Sequence, residues 1–465
     1  MNVYCTEYDV IKKVARKSLG FKLRNYMEDH DGAIRRGQHN QKLVKEWDVT
    51  WHDLSITPDF LAKLNPYQKV NHYPGMYSIT RKNHLARNLM RMKRAFPGEF
   101  NFFPQTWVLP GDNIDFRNQF GNKKNEGPKT KRQTFIVKPD GLSQGKGIFL
   151  SRRQERILHH IETAKDEEGI AGWVVQHYID QPHLIEDLKY DLRIYVLINC
   201  VNPLRVYIHD EGLARFCTEP YKKPTAGNMD NLYMHLTNYA INKTSAAYAQ
   251  ADESSGDEES GHKRSLNAIL KILQCCGADR DKLMTEIKDI IVKTVASSQP
   301  YLWHLYRSCQ PEDLDGSMCF QILGFDIMID KKFKPWLIEV NQSPSFATDS
   351  PLDYKTKKAV LTDTFNMLNC SVKKRKKILK QQQQQMESRI LTGKQAKLEP
   401  EEKAKLVKEK LAERFKYEEK RQGQWSLILP WPDEARNATM NEFIKKAQEI
   451  WDEFTTGKGS RLRQQ

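Results

Sequence analysis

An α+β fold of roughly two to three domains follows from three observations. The segments ILGFDIMID (322–330) and KPWLIEVN (334–341) alternate apolar and polar residues, which is the signature of a strand hairpin. Segments 82–94 and 283–297 instead carry apolar residues at helical spacing: Leu85, Leu89 and Met92 in one, Ile287, Ile290, Ile291 and Val295 in the other. The 465 residues are enough for several cores at ~100–200 residues per domain.

The elements can be taken in order. Residues 1–95 read as a small mixed module, with a strand at WDVTW (47–51) and the 82–94 helix closed by Pro97-Gly98. Residues 111–132 are polar and rich in Gly, Asn and Lys, as in a loose loop. TFIVK (134–138) is a strand, and the Gly-rich turn 140–147 follows it. Short strands are expected at 173–179 and 204–209, with a long one at 189–199. The acidic, Ser-rich stretch 252–259 has no apolar anchor and reads as disordered. Helix 401–421 has only one thin apolar stripe, Val407, Leu411 and Phe415, so it either packs by that stripe or waits for a partner. The last segment holds Trp431 and a helical stretch near 443–454 that is expected to dock back on the body.

The totals exclude several classes. No run of ~18 apolar residues exists, so no helix is expected to span a membrane. The N-terminus lacks the layout of a signal peptide. The eight cysteines form no CxxC pair, which argues against zinc and fits a reducing compartment. The net charge of +15 favours an anionic partner. Between Lys373 and Arg421 seventeen Lys/Arg stand against eight Glu, so more than half of the excess lies there. Nucleic acid is disfavoured, because only charge and no recognition motif is present.

The hairpin carries the sharpest chemistry. If its loop holds an even number of residues, Asp326 shares a face with Glu339 and Asn341, opposite the apolar face of Phe325, Ile327 and Ile329 and of Trp336, Ile338 and Val340. Two carboxylates and an amide oxygen suit magnesium; a solvated polar face is the plain alternative. Lys138 ends a strand just before Gly141, Gly145 and Gly147, where backbone can approach phosphate closely. Alone, those glycines fit an ordinary mobile turn equally well. Gln176, Tyr178 and Ile179 offer an edge to a base, or simply end a core strand. Lys189, Asp191 and Arg193 put three charges on one face of an apolar strand, which requires pairing, a ligand or an exposed edge. Arg215 could clamp a carboxylate or lie on the surface. Thr237 and Asn238 could meet phosphate or cap a helix, and Tyr239 and Lys243 could meet a second anion.

In this order the segments match ATP-grasp ligases. FIVKPDGLSQGKGIF, KYDLRIYVLIN, GLARF, MHLTNYAINK and LGFDIMID…KPWLIEVNQSPSF closely resemble the tubulin tyrosine ligase-like family, especially its glutamate-adding branch, over about residues 65–370. The resemblance implies an ATP-grasp-type fold with an N-terminal lobe (1–95), a central lobe (96–187) and a C-terminal lobe (188–370). A basic, helical, microtubule-binding segment (371–425) and a terminal segment (426–465) would follow. It implies ATP and Mg2+ as cofactors. Lys138, Gln144, Gly145, Gln176, Tyr178, Ile179, Lys189, Asp191, Thr237 and Asn238 would hold ATP. Asp326, Glu339 and Asn341 would hold the metal, and Arg215, Tyr239 and Lys243 the incoming glutamate. Lys138, Arg193 and Glu339 are the candidate catalytic residues.

The implied reaction is ATP-driven amide formation, through an acyl phosphate, on the acidic tails of tubulin. The alternatives are a non-catalytic polyanion binder and a glycine-adding relative. A monomer acting on microtubules in the cytoplasm, cilium and basal body is expected, with no nucleic-acid or membrane partner.

Overall fold

The computed structural model describes residues 1–25, 47–120, 133–170, 172–249, 260–392 and 399–456. The acidic stretch 252–259 and residues 121–132 lie outside them. In chain order the strands are β1 (Val49–Thr50), β2 (Lys69–Val70), β3 (Thr106–Leu109), β4 (Phe135–Pro139), β5 (Phe149–Ser151), β6 (Trp173–His177), β7 (Leu184–Ile185), β8 (Leu188–Val201), β9 (Leu204–Phe216), β10 (Lys263–Ser265), β11 (Gln321–Ile329), β12 (Pro335–Asn341) and β13 (Trp425–Leu429). They form a short parallel pair, β1–β2, and two larger sheets.

The smaller sheet runs β3-β6-β4-β5, all antiparallel. Its apolar face closes on the Gln154–Glu168 helix, where Ile157 and Ala164 join Trp107, Phe116, Phe135 and Trp173 in one cluster. Part of the expected loose loop is ordered: Asn113–Asn118 is a short helix because Phe116 is buried against Trp107 and Phe135.

The larger sheet has seven strands, in the order β10-β9-β8-β11-β12, with β7 on β8 and β13 on β9. Its central strands are buried on both faces, which explains their near-continuous apolar runs. On one face Leu192, Ile194, Val196 and Ile198 pack with Ile287, Ile291 and Val295 of the Arg280–Ala296 helix. On the other, Tyr195 and Leu197 pack with Val360, Leu361 and Phe365 of the Pro351–Met367 helix. The N-terminal residues join this body: Val70 bridges to Cys319, and Trp51 packs on Phe320 and Phe365.

The hairpin departs from expectation at one point. Ile329 pairs with Pro335, so the loop 330–334 holds an odd number of residues. The register slips between Asp326 and Ile327, where Ile338 is the extra residue of a bulge. The slip restores the pairing of Asp326 with Glu339 and of Gly324 with Asn341. It also corrects the second apolar face. Leu337 and Val340 are buried opposite Ile327 and Phe325, while Trp336 and Ile338 are half-buried on the other side.

The C-terminal part returns to the body. A basic helix, Val372–Thr392, is followed by an anchor helix, Pro400–Glu419. The expected apolar stripe is only half-buried, and the anchor is polar instead. Arg414 and Glu418 are buried and pair at 2.6 Å. Arg414 also donates to the carbonyls of Asn199 and Asp315, and Glu418 accepts from Tyr207 at 3.0 Å. β13 then joins β9, and the Glu434–Thr455 helix, capped by Asp433, buries Met440, Phe443 and Ala447.

Candidate active site

Strand register builds the floor of the site. β8 sets Asp191 opposite Arg215 of β9 and Arg193 opposite Asp326 of β11. β11 sets Asp326 opposite Glu339 of β12. Two neighbouring cross-strand rows thus carry Arg215 with Asp191, and Arg193 with Asp326 and Glu339. Arg193 grips Asp326 with two donors, Nε at 2.6 Å and Nη2 at 3.2 Å. Arg215 reaches both acids, Nε to Asp191 Oδ1 at 2.8 Å and Nη2 to Asp326 Oδ2 at 2.7 Å. Thr237 donates to Asp191 at 2.9 Å. Gly324 is required beneath this network, because a Cβ there would press on the Arg193 side chain and on Pro344.

The electrostatics fit a cation. Burial opposes the charge on Asp326, yet the Arg193 and Arg215 guanidiniums hold its carboxyl well below the usual carboxylate range. Burial first, and the Asp326 charge second, push the Glu339 carboxyl up. Asn341 Nδ2 donates to Asp326 Oδ2 and to Glu339 Oε1, both at 3.2 Å, so all three predicted metal ligands meet. Among the described residues no trio of His, Cys, Asp or Glu is placed for a metal, so the set needs the Asn341 amide as its third donor. A buried and a half-buried carboxylate, with the Asn341 amide turned over to present its oxygen, would make a hard-oxygen set that suits magnesium.

Above the floor lies a cleft between the two sheets. Lys138, Gln176, Tyr178, Ile179, Lys189, Asp191, Thr237, Asn238, Asp326 and Glu339 line it together. Lys138 donates to the Gln176 side chain at 2.8 Å, and Gln176 donates in turn to Thr106 at 3.0 Å. Lys189 donates to Tyr178 Oη at 2.9 Å and to the His235 carbonyl at 2.7 Å. Burial lowers both ammonium groups to about 8. The Gly-rich turn folds over the cleft edge. Gly145, at φ 82°, lies so close to Asn238 and Ile241 that a Cβ would collide with Ile241. Gln144 beside it also has positive φ.

The glutamate candidates stand apart from the cleft lining. The Arg215 fork is taken up by Asp191 and Asp326. Tyr239 donates to Asp349 at 3.0 Å, and Lys243 stands 5.5 Å from the centre of its ring. Lys263 connects them, since it pairs with Arg215 in register and sits 3.9 Å from the Tyr239 ring centre.

Several cleft residues escape the sequence reading. Ile136, Ile148, Leu236, Met328 and Ile338 form apolar walls on either side. Ile338 carried a signal only in the broken alternation of β12. Lys82, at the start of the Lys82–Ala95 helix, donates to the Leu142 carbonyl in the Gly-rich turn at 2.7 Å.

The chain is similar in sequence to known proteins. The family model described as the tubulin-tyrosine ligase family matches residues 60–379. A "Probable beta-tubulin polyglutamylase" of Tetrahymena thermophila is 41% identical over 455 residues, 98% of this chain and 35% of that protein. "Tubulin polyglutamylase ttll6" of Danio rerio is 40% identical over 398 residues, 86% of this chain and 48% of its own length. "Tubulin polyglutamylase TTLL13" of Mus musculus is 39% identical over 452 residues, 96% of this chain and 53% of its own. The chain therefore spans about a third to a half of these relatives. The matched residues contain both sheets' core strands, the hairpin and the cleft they enclose, and the chain belongs to the tubulin-tyrosine ligase family.

Proposed function

We propose that the chain is the catalytic part of an ATP- and magnesium-dependent ligase. It adds glutamate to glutamate side chains, or to glutamate chains already present, on the acidic tails of tubulin. The observation that supports this most is the Asp326–Glu339 pair at the floor of a cleft flanked by Lys138 and Lys189. The names of the relatives favour glutamate and tubulin.

Each residue then has a task. Ile136, Ile148, Met328 and Ile338 exclude water around a base. Lys138, Lys189 and the Gly-rich turn receive phosphates as point charges and backbone donors. Asp326, Glu339 and Asn341 would hold magnesium, which neutralises phosphate charge and aligns the transferring group. Arg193 fixes the Asp326 carboxylate. Arg215, Tyr239 and Lys243, linked by Lys263, receive the carboxylates of free glutamate. A tail carboxylate takes the γ-phosphoryl group and releases ADP. The glutamate amine attacks the resulting acyl phosphate, forms the amide and expels phosphate. Water must be kept out while that intermediate lasts, which gives the turn over the cleft a purpose.

The test is to incubate the protein with microtubules, ATP and single amino acids and to weigh the tubulin tails by mass spectrometry. Tails should gain glutamate masses only when ATP and magnesium are both present. A glycine ladder would reassign the donor. No ladder, together with no ATP binding, would overturn the reading.

A further inference from the structure

A second pocket lies where β2 meets the start of the basic helix. It is a shallow surface pocket lined by Asp48, Tyr67, Lys69, Cys370, Ser371, Lys374 and Arg375. It opens where the basic helix leaves the body. Three cations face it against one lining carboxylate. The geometry points to a binding site here for a compact oxyanion, a carboxylate or a phosphate group.

Lys69 carries the case. Its side chain is buried, and its ammonium donates to the neutral carbonyl of Ser317. Among the described residues no carboxylate lies within ion-pair distance of it. Asp315 acts on it only from beyond that distance, and burial, followed by the nearby Lys374 charge, lowers this ammonium to about 8. The other two cations are only loosely matched. Lys374 stands 3.9 Å from Asp315, and Arg375 stands 3.8 Å from Asp48. Arg375 is held over the Tyr67 ring at 4.9 Å, so its fork is positioned before any ligand arrives. The first turn of the basic helix adds backbone donors, with Ser371 already capping Lys374 at 3.1 Å. An oxyanion seated among these groups would give Lys69 a direct ion-pair partner and take up the donors that Lys374 and Arg375 hold only loosely.

The site is independent of the ligase reading, and its test keeps the two separate. The full chain is saturated with a non-hydrolysable ATP analogue so that the cleft is filled. It is then titrated calorimetrically with inorganic phosphate in one arm and a glutamate-rich peptide in the other, at constant ionic strength. Saturable binding that depends on Lys374 and Arg375 is expected in at least one arm, and that arm identifies the source. The double variant Lys374→Ala, Arg375→Ala should weaken it by about tenfold or more, whereas Lys376→Ala, Lys377→Ala, on the exposed side, should change it by about twofold at most. Lys69→Met should abolish it; if that variant does not fold, the two double variants still decide. No saturable binding in either arm, or equal losses from both double variants, overturns the proposal.

Discussion

Asp326 and Glu339 face each other across β11 and β12, and only Asp326 is held by arginine. The pair is therefore asymmetric: one carboxylate is firmly ionised and its neighbour is pushed towards its protonated form. A divalent cation beside the pair would favour the ionised form of Glu339.

Glu339→Gln should abolish glutamate incorporation, with a loss of at least about 100-fold, while the thermal midpoint stays unchanged or rises. The substitution keeps shape and removes a buried like charge, so the fold loses nothing. Labelled-glutamate incorporation and a melting curve measure the two effects. Activity within a few-fold of the parent would remove Glu339 from the site.

Nucleotide affinity should fall as pH rises through about 8. Lys138 and Lys189 lose their charge there, far below the ordinary lysine value of 10.5. The sign for the free protein is opposite. A base whose folded pKa is depressed binds fewer protons than in the unfolded chain, so its contribution to stability increases with pH above about 8. ATP binding at about pH 7 and about pH 9 checks the first statement. Equal affinities would show that neither lysine meets phosphate.

Arg414→Ala should destabilise the protein by about 3–5 kcal/mol, because it leaves Glu418 buried beside Tyr207 with only Arg205 for charge balance. Replacing both Arg414 and Glu418 with apolar residues of similar size should cost less. Denaturant melts of the two variants provide the comparison. Small losses in both variants would mean that the helix is held by its apolar stripe after all.

The basic run 373–377 should act in two parts. Lys373, Lys376 and Lys377 are exposed, whereas Lys374 and Arg375 turn towards the body. Alanine at the three exposed positions should weaken microtubule co-sedimentation and flatten its salt dependence, with ATP binding unchanged. Unaltered sedimentation at ordinary salt would rule out this face as the docking surface.

Much of the floor was legible because strand periodicity is short and strict. Alternation alone put Asp326, Glu339 and Asn341 on one face, although it assumed an even loop that the bulge at Ile338 had to correct. The pairing of Arg215 with Asp191 was not legible, since it depends on the register between two strands whose sequences fit several registers. Gln176 read as a backbone edge for a base, while its side chain holds Lys138. The anchor helix misled for a different reason. Its visible signal was Val407, Leu411 and Phe415, yet the contacts that fix it belong to Arg414 and Glu418, residue types that sequence patterns assign to solvent.

β13 lies beyond the basic and anchor helices in the chain yet hydrogen-bonds to β9 inside the main sheet. The two helices are thus an excursion fastened at both ends, not a tail. Stopping the chain near residue 371 would strip β9 of its neighbour, leave Tyr207 and Ile208 facing water, and expose backbone groups ready to pair with another molecule. Loss of activity after such a cut would report an open sheet edge as much as a missing tether. Splicing out the excursion and rejoining its ends is the cleaner surgery.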